Sequence, residues 1–198
     1  MVNITESLRE LEMVVLHEVG HAVVMELLGK PIKHIQIKYR KLEDDWTGNT
    51  PPLDNLSSDV TSPWPILRLV PDNEYKDVRD CCIIKFAGSV TERLLGIDEK
   101  IILQGYFMDK QSAYYLLRET FSLERLEDEL RNAEILARNV LSNPIHWGKV
   151  LNIANGMLGA MDQGRKPERS NDYIDEFVFS RDEVIRFQNF SSNLDKPE

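Results

Sequence analysis

Five consecutive residues, His17-Glu18-Val19-Gly20-His21, have the types and the spacing of a metal-dependent hydrolytic site. Residues four apart on a helix leave one face about one turn from each other, so both imidazoles can reach a single ion. Zinc is commonly bound by imidazole nitrogens in this way. The glutamate between them need not be a ligand, and it can take a proton from water on the open side of the metal. The spacing therefore predicts a metal site with His17 and His21 as ligands and Glu18 as the general base.

The surroundings of the motif favour a metal site over a coincidence. The sequence holds 4 histidines in 198 residues, for which a chance H-E-x-x-H has odds on the order of one in a hundred. The motif lies among Val15, Val19 and Val23, and unpaired polar groups on such an apolar helix cost several kcal/mol. Gly20 costs a helix interior about 1 kcal/mol relative to Ala, which indicates close packing against a neighbour. A coincidental motif without metal is the alternative.

Two imidazoles leave a catalytic zinc site incomplete, because such sites usually have three protein ligands and one open position. His34 lies on a predicted strand and His146 on a late predicted helix, and ordinary structural or surface roles explain both better than ligation. The candidates for the third ligand are the carboxylates of Glu92, on the second predicted helix, and Asp109, at the start of the third. The residues alone leave the choice between these two acids open.

Composition and charge exclude several classes of protein. Hydrophobic residues make up 42% and charged residues 29% of the chain, and this balance excludes a disordered chain and an integral membrane protein. The formal net charge of -9 is opposite to the surplus of Lys and Arg that a nucleic-acid binder needs. The N-terminal sequence lacks a signal peptide and a membrane span, and the adjacent Cys81 and Cys82 provide no disulfide framework. We expect no nucleic-acid partner, no membrane span, and a cytoplasmic location or another reducing soluble compartment.

The hydrophobic pattern places the motif on a long helix in a mainly helical α+β domain. Apolar residues recur at spacings of three and four over residues 8–28, which predicts a helix. They alternate with polar residues over residues 32–40, which predicts a strand with one buried face, so we expect a small sheet next to the motif helix. Further helices are predicted over residues 74–95, 108–121, 122–141, 145–161 and 180–187.

Between the first strand and the second helix the periodic pattern dissolves. Residues 41–73 hold five of the 9 prolines and many Ser and Asp residues, and they predict a long surface excursion with a short extended piece over residues 46–50. We expect residues 1–121 to form the zinc-site portion and residues 122–188 to form a helical portion packed on it. Residues 189–198 are expected to be a disordered tail.

Beyond the motif, the chain from about residue 11 to residue 187 resembles the peptidase domain of the FtsH-type proteases, the AAA-linked zinc metalloproteases. Residues 16–24, LHEVGHAVV, are similar to the zinc-site helix of that family, whose motif commonly reads HEAGHA. Residues 86–96 resemble its GGR-A-E-E-x-x-x-G helix, and residues 105–117 resemble its TGA-x-x-D segment. The resemblance implies a helical metallopeptidase domain with a small sheet beside the motif helix and Zn²⁺ as its cofactor.

The same resemblance implies an enzyme that hydrolyses peptide bonds in unfolded polypeptides or peptides. Asp109 matches the acid of the TGA-x-x-D segment, which makes it the implied third zinc ligand. Glu92 is then expected to orient a ligand or stabilise the site, with ligation as its alternative role. In the relatives an edge strand in the region of residues 46–50 pairs with an extended substrate. The residues of the expected substrate rim are Trp46, Thr47, Gly48, Asn49 and Thr50.

The chain lacks the G-x-x-x-x-G-K-S/T phosphate loop of an ATPase, so the resemblance is to a stand-alone peptidase domain. A separate AAA+ ATPase is a candidate partner, and since the family's peptidase domains form rings, a homo-oligomeric ring is a further expectation. The alternative function is a non-proteolytic module of the same descent that binds or regulates a partner, with or without zinc. The intact Glu18 favours the enzyme, whereas the missing ATPase and the departure from the family pattern at residues 105–109 favour the module.

Overall fold

Six helices and a small sheet are present in the computed structural model of the chain, which describes residues 4–51, 74–97 and 99–189. This part of the protein is mostly helical with four antiparallel strands, which confirms the predicted α+β class. None of its helices combines the length and the apolar character that a membrane crossing requires. The elements in chain order are α1 (Ile4–Leu27), β1 (His34–Arg40), β2 (Asp45–Asn49), α2 (Glu74–Leu94), α3 (Glu99–Arg118), α4 (Leu123–Leu141), α5 (Pro144–Asp162), β3 (Arg169–Ser170), β4 (Ile174–Ser180) and α6 (Arg181–Asn189).

The motif helix α1 packs against α2 through a point of close backbone contact. Val15 and Val19 lie fully buried on its inner face. A Cβ atom placed on Gly20 would lie 2.9 Å from the carbonyl oxygen of Ala87 on α2 and closer still to the hydroxyl of Thr91. A glycine is therefore needed for the two helices to approach this closely beside the motif. The prediction of close packing at this glycine is confirmed.

The sheet has the strand order β2-β1-β4-β3, and every pairing in it is antiparallel. Ile35 and Ile37 on β1 are fully buried, which agrees with the alternation that predicts this strand. Phe179 on β4 is also buried and lies directly opposite Ile35. Because β4 comes late in the chain, its pairing with β1 brings the C-terminal portion against the motif portion.

The strands differ from the predicted pattern at three points. The short extended piece predicted over residues 46–50, within the excursion of residues 41–73, is confirmed as β2, which begins and ends one residue earlier and pairs with β1. Residues 52–73 of that segment lie outside the described residues. β1 begins at His34, two residues later than predicted. β4 was not predicted, because Asp175 and Glu176 interrupt the alternation of apolar and polar residues along it. Its pairing with β1 is what makes this segment a strand.

The helix predicted over residues 108–121 is wrong at both ends, since α3 spans Glu99–Arg118. The segment around Gly105, which lies between two of the predicted helices, is helical. Asp109 consequently lies in the middle of α3, where the partial charge at a helix N-terminus cannot stabilise its carboxylate. The early start is supported by tertiary packing, because Ile102 is buried with 1% of its surface exposed and packing commonly overrides local propensity.

The other helices follow their predicted limits more closely. α2, predicted over residues 74–95, ends one residue earlier, and α4, α5 and α6 begin and end within two residues of prediction, whereas α1 begins four residues early. The N–H of Ser180 donates to Glu183 Oε2 over 2.9 Å and the N–H of Glu183 donates to Ser180 Oγ over 3.4 Å. This reciprocal pair is a capping box, in which Ser180 and Glu183 close the start of the last helix. Asn189 ends α6, and the rest of the predicted tail lies outside the described residues.

Helices α4 and α5 hold α1 and α2 in place. α4 packs along α2, and α5 packs along α1. On the surface between α2 and α4, Arg79 donates two hydrogen bonds to the Glu129 carboxylate, over 3.0 Å and 2.8 Å. Below them, Leu130 and Ala137 of α4 belong to the same hydrophobic core as Phe86 of α2. The motif helix α1 and its neighbour α2 are thus held in place by a single continuous hydrophobic core.

Candidate metal centre

Three side chains from α1 and α3 converge on one point. His17 Nε2 lies 3.0 Å from His21 Nε2, and Asp109 Oδ2 lies 3.2 Å from the first nitrogen and 3.4 Å from the second. All three side chains are largely buried, with between 10% and 14% of their surface exposed. The structure therefore brings together the two predicted histidines and the carboxylate that the family resemblance selects.

The outer nitrogen of each imidazole is held by an acceptor. His21 Nδ1 lies 2.6 Å from the carbonyl oxygen of Ile84 on α2, and His17 Nδ1 lies 3.1 Å from Glu92 Oε1. A carbonyl or a carboxylate only accepts, so each Nδ1 carries the proton and donates it. In the neutral ring the proton on Nδ1 leaves Nε2 with a free lone pair, the form in which histidine binds metals.

With both protons on Nδ1, the two Nε2 atoms and the Asp109 oxygen are three hydrogen-bond acceptors that face one another. Asp109 Oδ2 is buried and has no hydrogen-bond donor among the described residues. Lone pairs that face each other at 3.0–3.4 Å need a shared proton or a metal cation between them, because unpaired buried polar groups are costly. Two imidazole nitrogens and one carboxylate oxygen are also the donor set typical of a catalytic zinc site. The residues present thus fit a zinc ion.

The electrostatics of the cluster agree with this need for positive charge. Burial opposes the charged form of His17, but the carboxylates of Asp109 and Glu92 outweigh burial and hold its pKa well above the ordinary value. Burial would raise the pKa of Asp109, yet the two imidazoles outweigh it and hold that pKa well below its usual range. A cluster that binds a proton this strongly also attracts a metal ion, which competes for the same lone pairs.

Glu92 lies on the far side of the first imidazole from the three converging atoms. Its Oε1 accepts from the Nδ1 of His17, while Asp109 faces the Nε2. This placement supports the role of an acid that orients a ligand over the alternative of ligation, since an acid at Nδ1 fixes the ring and its tautomer. Glu92 Oε2 is buried and receives no hydrogen bond within the described part of the chain.

Two features of α2 shape the site without contributing a ligand. A Cβ atom on Gly88 would overlap the His17 ring, at 2.6 Å from its Cδ2. On the rim of the site, Lys85 Nζ lies 3.9 Å from Asp109 Oδ1. Sequence reasoning missed these residues and the Ile84 carbonyl. Gly88, in the segment that resembles the family's second helix, is the one among them with a sequence signal.

Glu18 is buried, with 7% of its surface exposed, and it faces the strand β2. The hydroxyl of Thr50 donates to its Oε2 over 2.8 Å. A Cβ atom on Gly48 would lie 2.6 Å from its Oε1. Two residues of the expected substrate rim, Gly48 and Thr50, therefore contact the candidate base itself.

The other rim residues have different surroundings. The Trp46 ring packs against Tyr39, with the ring centroids 4.9 Å apart, and belongs to the packed side of the sheet. Thr47 and Asn49 lie opposite Lys38 and Gln36 in the pairing with β1. β2 is an edge of the sheet in the described part of the chain, so its outer side is the place where a further strand can pair.

The remaining candidates of the sequence lie outside the converging group. His146 Nδ1 donates to the carbonyl oxygen of Val140 over 2.8 Å, and His34 lies on β1 opposite Ser180. Cys82 is buried, and burial raises the pKa of its thiol to about 12. These placements agree with the structural roles expected for the two histidines.

Comparisons with known proteins add no assignment. No family model matches the chain, and no curated protein matches it at a significant level. The geometry of the converging residues and the motifs of the sequence are therefore the observations that bear on function.

Proposed function

We propose that this protein is a zinc-dependent metallopeptidase, similar to the FtsH-type peptidase domain, that hydrolyses peptide bonds in unfolded polypeptides or peptides. The observation that carries the proposal is the convergence of His17, His21 and Asp109, whose ligand atoms all lie within 4.8 Å of one another. Glu18 follows the first ligand in the chain and is buried, and it is the residue that acts as the general base in an H-E-x-x-H motif.

The residues have distinct roles in this proposal. His17, His21 and Asp109 would hold the zinc, while Glu92 and the Ile84 carbonyl keep the two imidazoles in the ligating tautomer. When bound there, zinc would supply Lewis acidity, which lowers the pKa of water and polarises a peptide carbonyl. Glu18 accepts the proton of the attacking water and returns it to the leaving amine.

An extended polypeptide is the substrate that best suits this arrangement. An edge strand offers unpaired backbone groups with which an extended chain can pair, and a folded segment cannot. Among the strands that the structure describes, β2 is such an edge, and Gly48 on it lies against Glu18. Pairing along β2 would place a substrate backbone beside the base. A separate AAA+ ATPase that unfolds substrates, a ring of identical copies and a reducing compartment remain proposals from the family resemblance.

The alternative, a non-proteolytic binding or regulatory module, has one observation in its favour. Glu18 is 7% exposed, and Gly48 and Thr50 of the β2 segment lie directly against its carboxylate. A base covered in this way has limited access to water. This alternative predicts no cleavage, with or without bound zinc.

The deciding experiment combines metal analysis with cleavage of a fluorescently labelled, chemically unfolded protein. The wild type should carry about one zinc per chain, and His17→Ala or His21→Ala should lose most of it, whereas His146→Ala, outside the site, should keep it. Glu18→Gln should keep the zinc and lower cleavage by about 10²–10⁴-fold, with exposed Glu127→Gln as the matched control.

Each outcome has a defined meaning. Full zinc content without cleavage of the unfolded substrate, alone or with a candidate ATPase, would replace the peptidase by the binding module. Retention of zinc by both histidine variants would contradict the metal site itself.

A further inference from the structure

Thr50, which directly follows β2, makes a directed contact with the candidate base. Its Oγ1 lies 2.8 Å from Glu18 Oε2 and 3.2 Å from the backbone carbonyl oxygen of the same residue. A threonine hydroxyl has a single proton to donate. The carboxylate oxygen is closer and charged, and charge-assisted hydrogen bonds are the stronger ones, so this oxygen receives the proton.

The backbone holds Thr50 at fixed points on both sides. Asn49, the residue before it, pairs with Gln36 in the sheet. The carbonyl oxygen of Pro51, the residue after it, accepts a hydrogen bond from the N–H of Lys33 over 2.8 Å. The hydroxyl is therefore presented by an anchored backbone, which is the condition under which a supporting group holds another side chain in place.

The second oxygen of the base has different surroundings. Glu18 Oε1 lies beside the Cα of Gly48, where a Cβ atom would be 2.6 Å away. The described residues provide no hydrogen-bond donor to this oxygen. One carboxylate oxygen of Glu18 thus accepts from a hydroxyl, whereas the other lies against a glycine and receives no hydrogen bond from the residues that the structure describes.

We infer that Thr50 is a positioning residue for Glu18: it occupies Oε2 and leaves Oε1 as the oxygen that takes the proton. The inference rests on the proposed function, because it assigns the proton transfer to one atom of the proposed base. Without the hydroxyl, the carboxylate could rotate about its side-chain torsions, and a smaller fraction of molecules would hold Oε1 in the productive orientation.

Matched variants of Thr50 test the inference by cleavage of the unfolded substrate. Thr50→Val keeps the shape and removes the donor, whereas Thr50→Ser keeps the donor and removes the methyl group. We expect Thr50→Val to retain zinc and KM and to lower kcat by about tenfold or more, and Thr50→Ser to recover most of that loss. Thr120→Val, which removes a hydroxyl bonded to the Leu116 carbonyl in the turn after α3, should leave kcat unchanged. An unchanged kcat in Thr50→Val would overturn the inference.

A second measurement needs no activity. In urea denaturation of the full chain, Thr50→Val should lower the unfolding midpoint, and the same change in a Glu18→Ala background should lower it by less. Equal shifts in both backgrounds would overturn the contact. If Thr50→Val does not fold, Thr50→Ala and Thr50→Ser can be compared instead. These two variants differ only in the hydroxyl group, so the difference between them measures the effect of the hydrogen-bond donor.

The two proposals can fail separately. If the wild type cleaves no substrate, the peptidase proposal fails. The Thr50–Glu18 contact is still supported if Thr50→Val shifts the unfolding midpoint less in the Glu18→Ala background than in the wild type. If the wild type cleaves and Glu18→Gln abolishes cleavage, an active Thr50→Val refutes the positioning role alone.

Discussion

Replacing Asp109 by asparagine tests the candidate metal centre most directly, because the change removes one negative charge and almost no volume. Asp109 Oδ2 lies 3.2 Å and 3.4 Å from the two imidazole nitrogens and is buried. Asparagine can still present an oxygen at this position, but a neutral amide attracts a divalent cation far less than a carboxylate does. Asp109→Asn should therefore weaken zinc binding while the packing of α3 stays intact.

The size of the effect follows from the position of the carboxylate. Residues that only orient a zinc ligand contribute about 10–100-fold in affinity or activity, so the loss of a ligand should exceed about 100-fold. Glu92 faces the outer nitrogen of His17, so Glu92→Gln should lower zinc affinity by only about 10–100-fold. Competition with a chromophoric chelator of known zinc affinity measures both variants. Asp128→Asn, at an exposed position on α4, is the matched control and should bind zinc like the wild type.

The pattern across these variants is more specific than any single value. Asp109 should govern metal binding, Glu18 should govern the rate of cleavage with zinc retained, and Glu92 should affect both mildly. Far-UV circular dichroism and the melting temperature establish that each variant is folded. If Glu92→Gln loses the zinc while Asp109→Asn keeps it, the third ligand is Glu92 and the reasoning from the geometry is refuted.

Three further predictions concern the surroundings of the site and the C-terminal helix. Gly88→Ala should lower zinc affinity by about tenfold or more, because its methyl group would overlap the first imidazole of the motif, whereas chelator competition on Gly159→Ala, with open space around it, should show no change. Replacing Cys81 and Cys82 together by Ala should leave the zinc content intact at a modest cost in melting temperature, since neither thiol belongs to the metal-binding group, and zinc loss from a folded double variant would contradict this. Burial opposes ionisation of Glu183, but a guanidinium and the hydrogen bonds of the helix cap outweigh it and lower its pKa to about 2. That stabilisation is present above pH 4.5 and is lost as the pH falls toward 2, so urea denaturation over this range should show a shallower loss for Glu183→Gln, and an unchanged slope would contradict it.

Residue types and spacing were enough to predict the features that depend on residues close together in the chain. His17 and His21 lie side by side because residues four apart share a helix face. The cap of α6 forms between residues three apart, Ser180 and Glu183. The buried face of β1 follows from alternation along one strand. In each case the relevant interaction repeats within a turn or a pleat, so residue types and spacing suffice to predict it.

The choice of the third ligand depended on the tertiary structure. Local pattern placed Asp109 at a helix start, and the structure places it inside α3, where the packing of α3 on α2 brings its carboxylate to the two imidazoles. Glu92 was an equal candidate by residue type, and the sequence favoured Asp109 only through the family resemblance. The ring nitrogen that each acid faces is the structural observation that separates the two. Type and spacing could nominate both acids because neither carries information about distance across helices.

The support around the site was also decided by the tertiary structure alone. The Ile84 carbonyl meets His21 across 63 residues of sequence, and the Thr50 hydroxyl meets Glu18 across 32. Gly88 contributes by having no side chain where the His17 ring lies. A backbone carbonyl is common to every residue, a threonine is ordinary at a strand end, and a glycine is ordinary in a loop or a cap. The contacts that they make arise only when strand pairing and helix packing bring distant segments together, so the local pattern around each residue did not show which group it would meet.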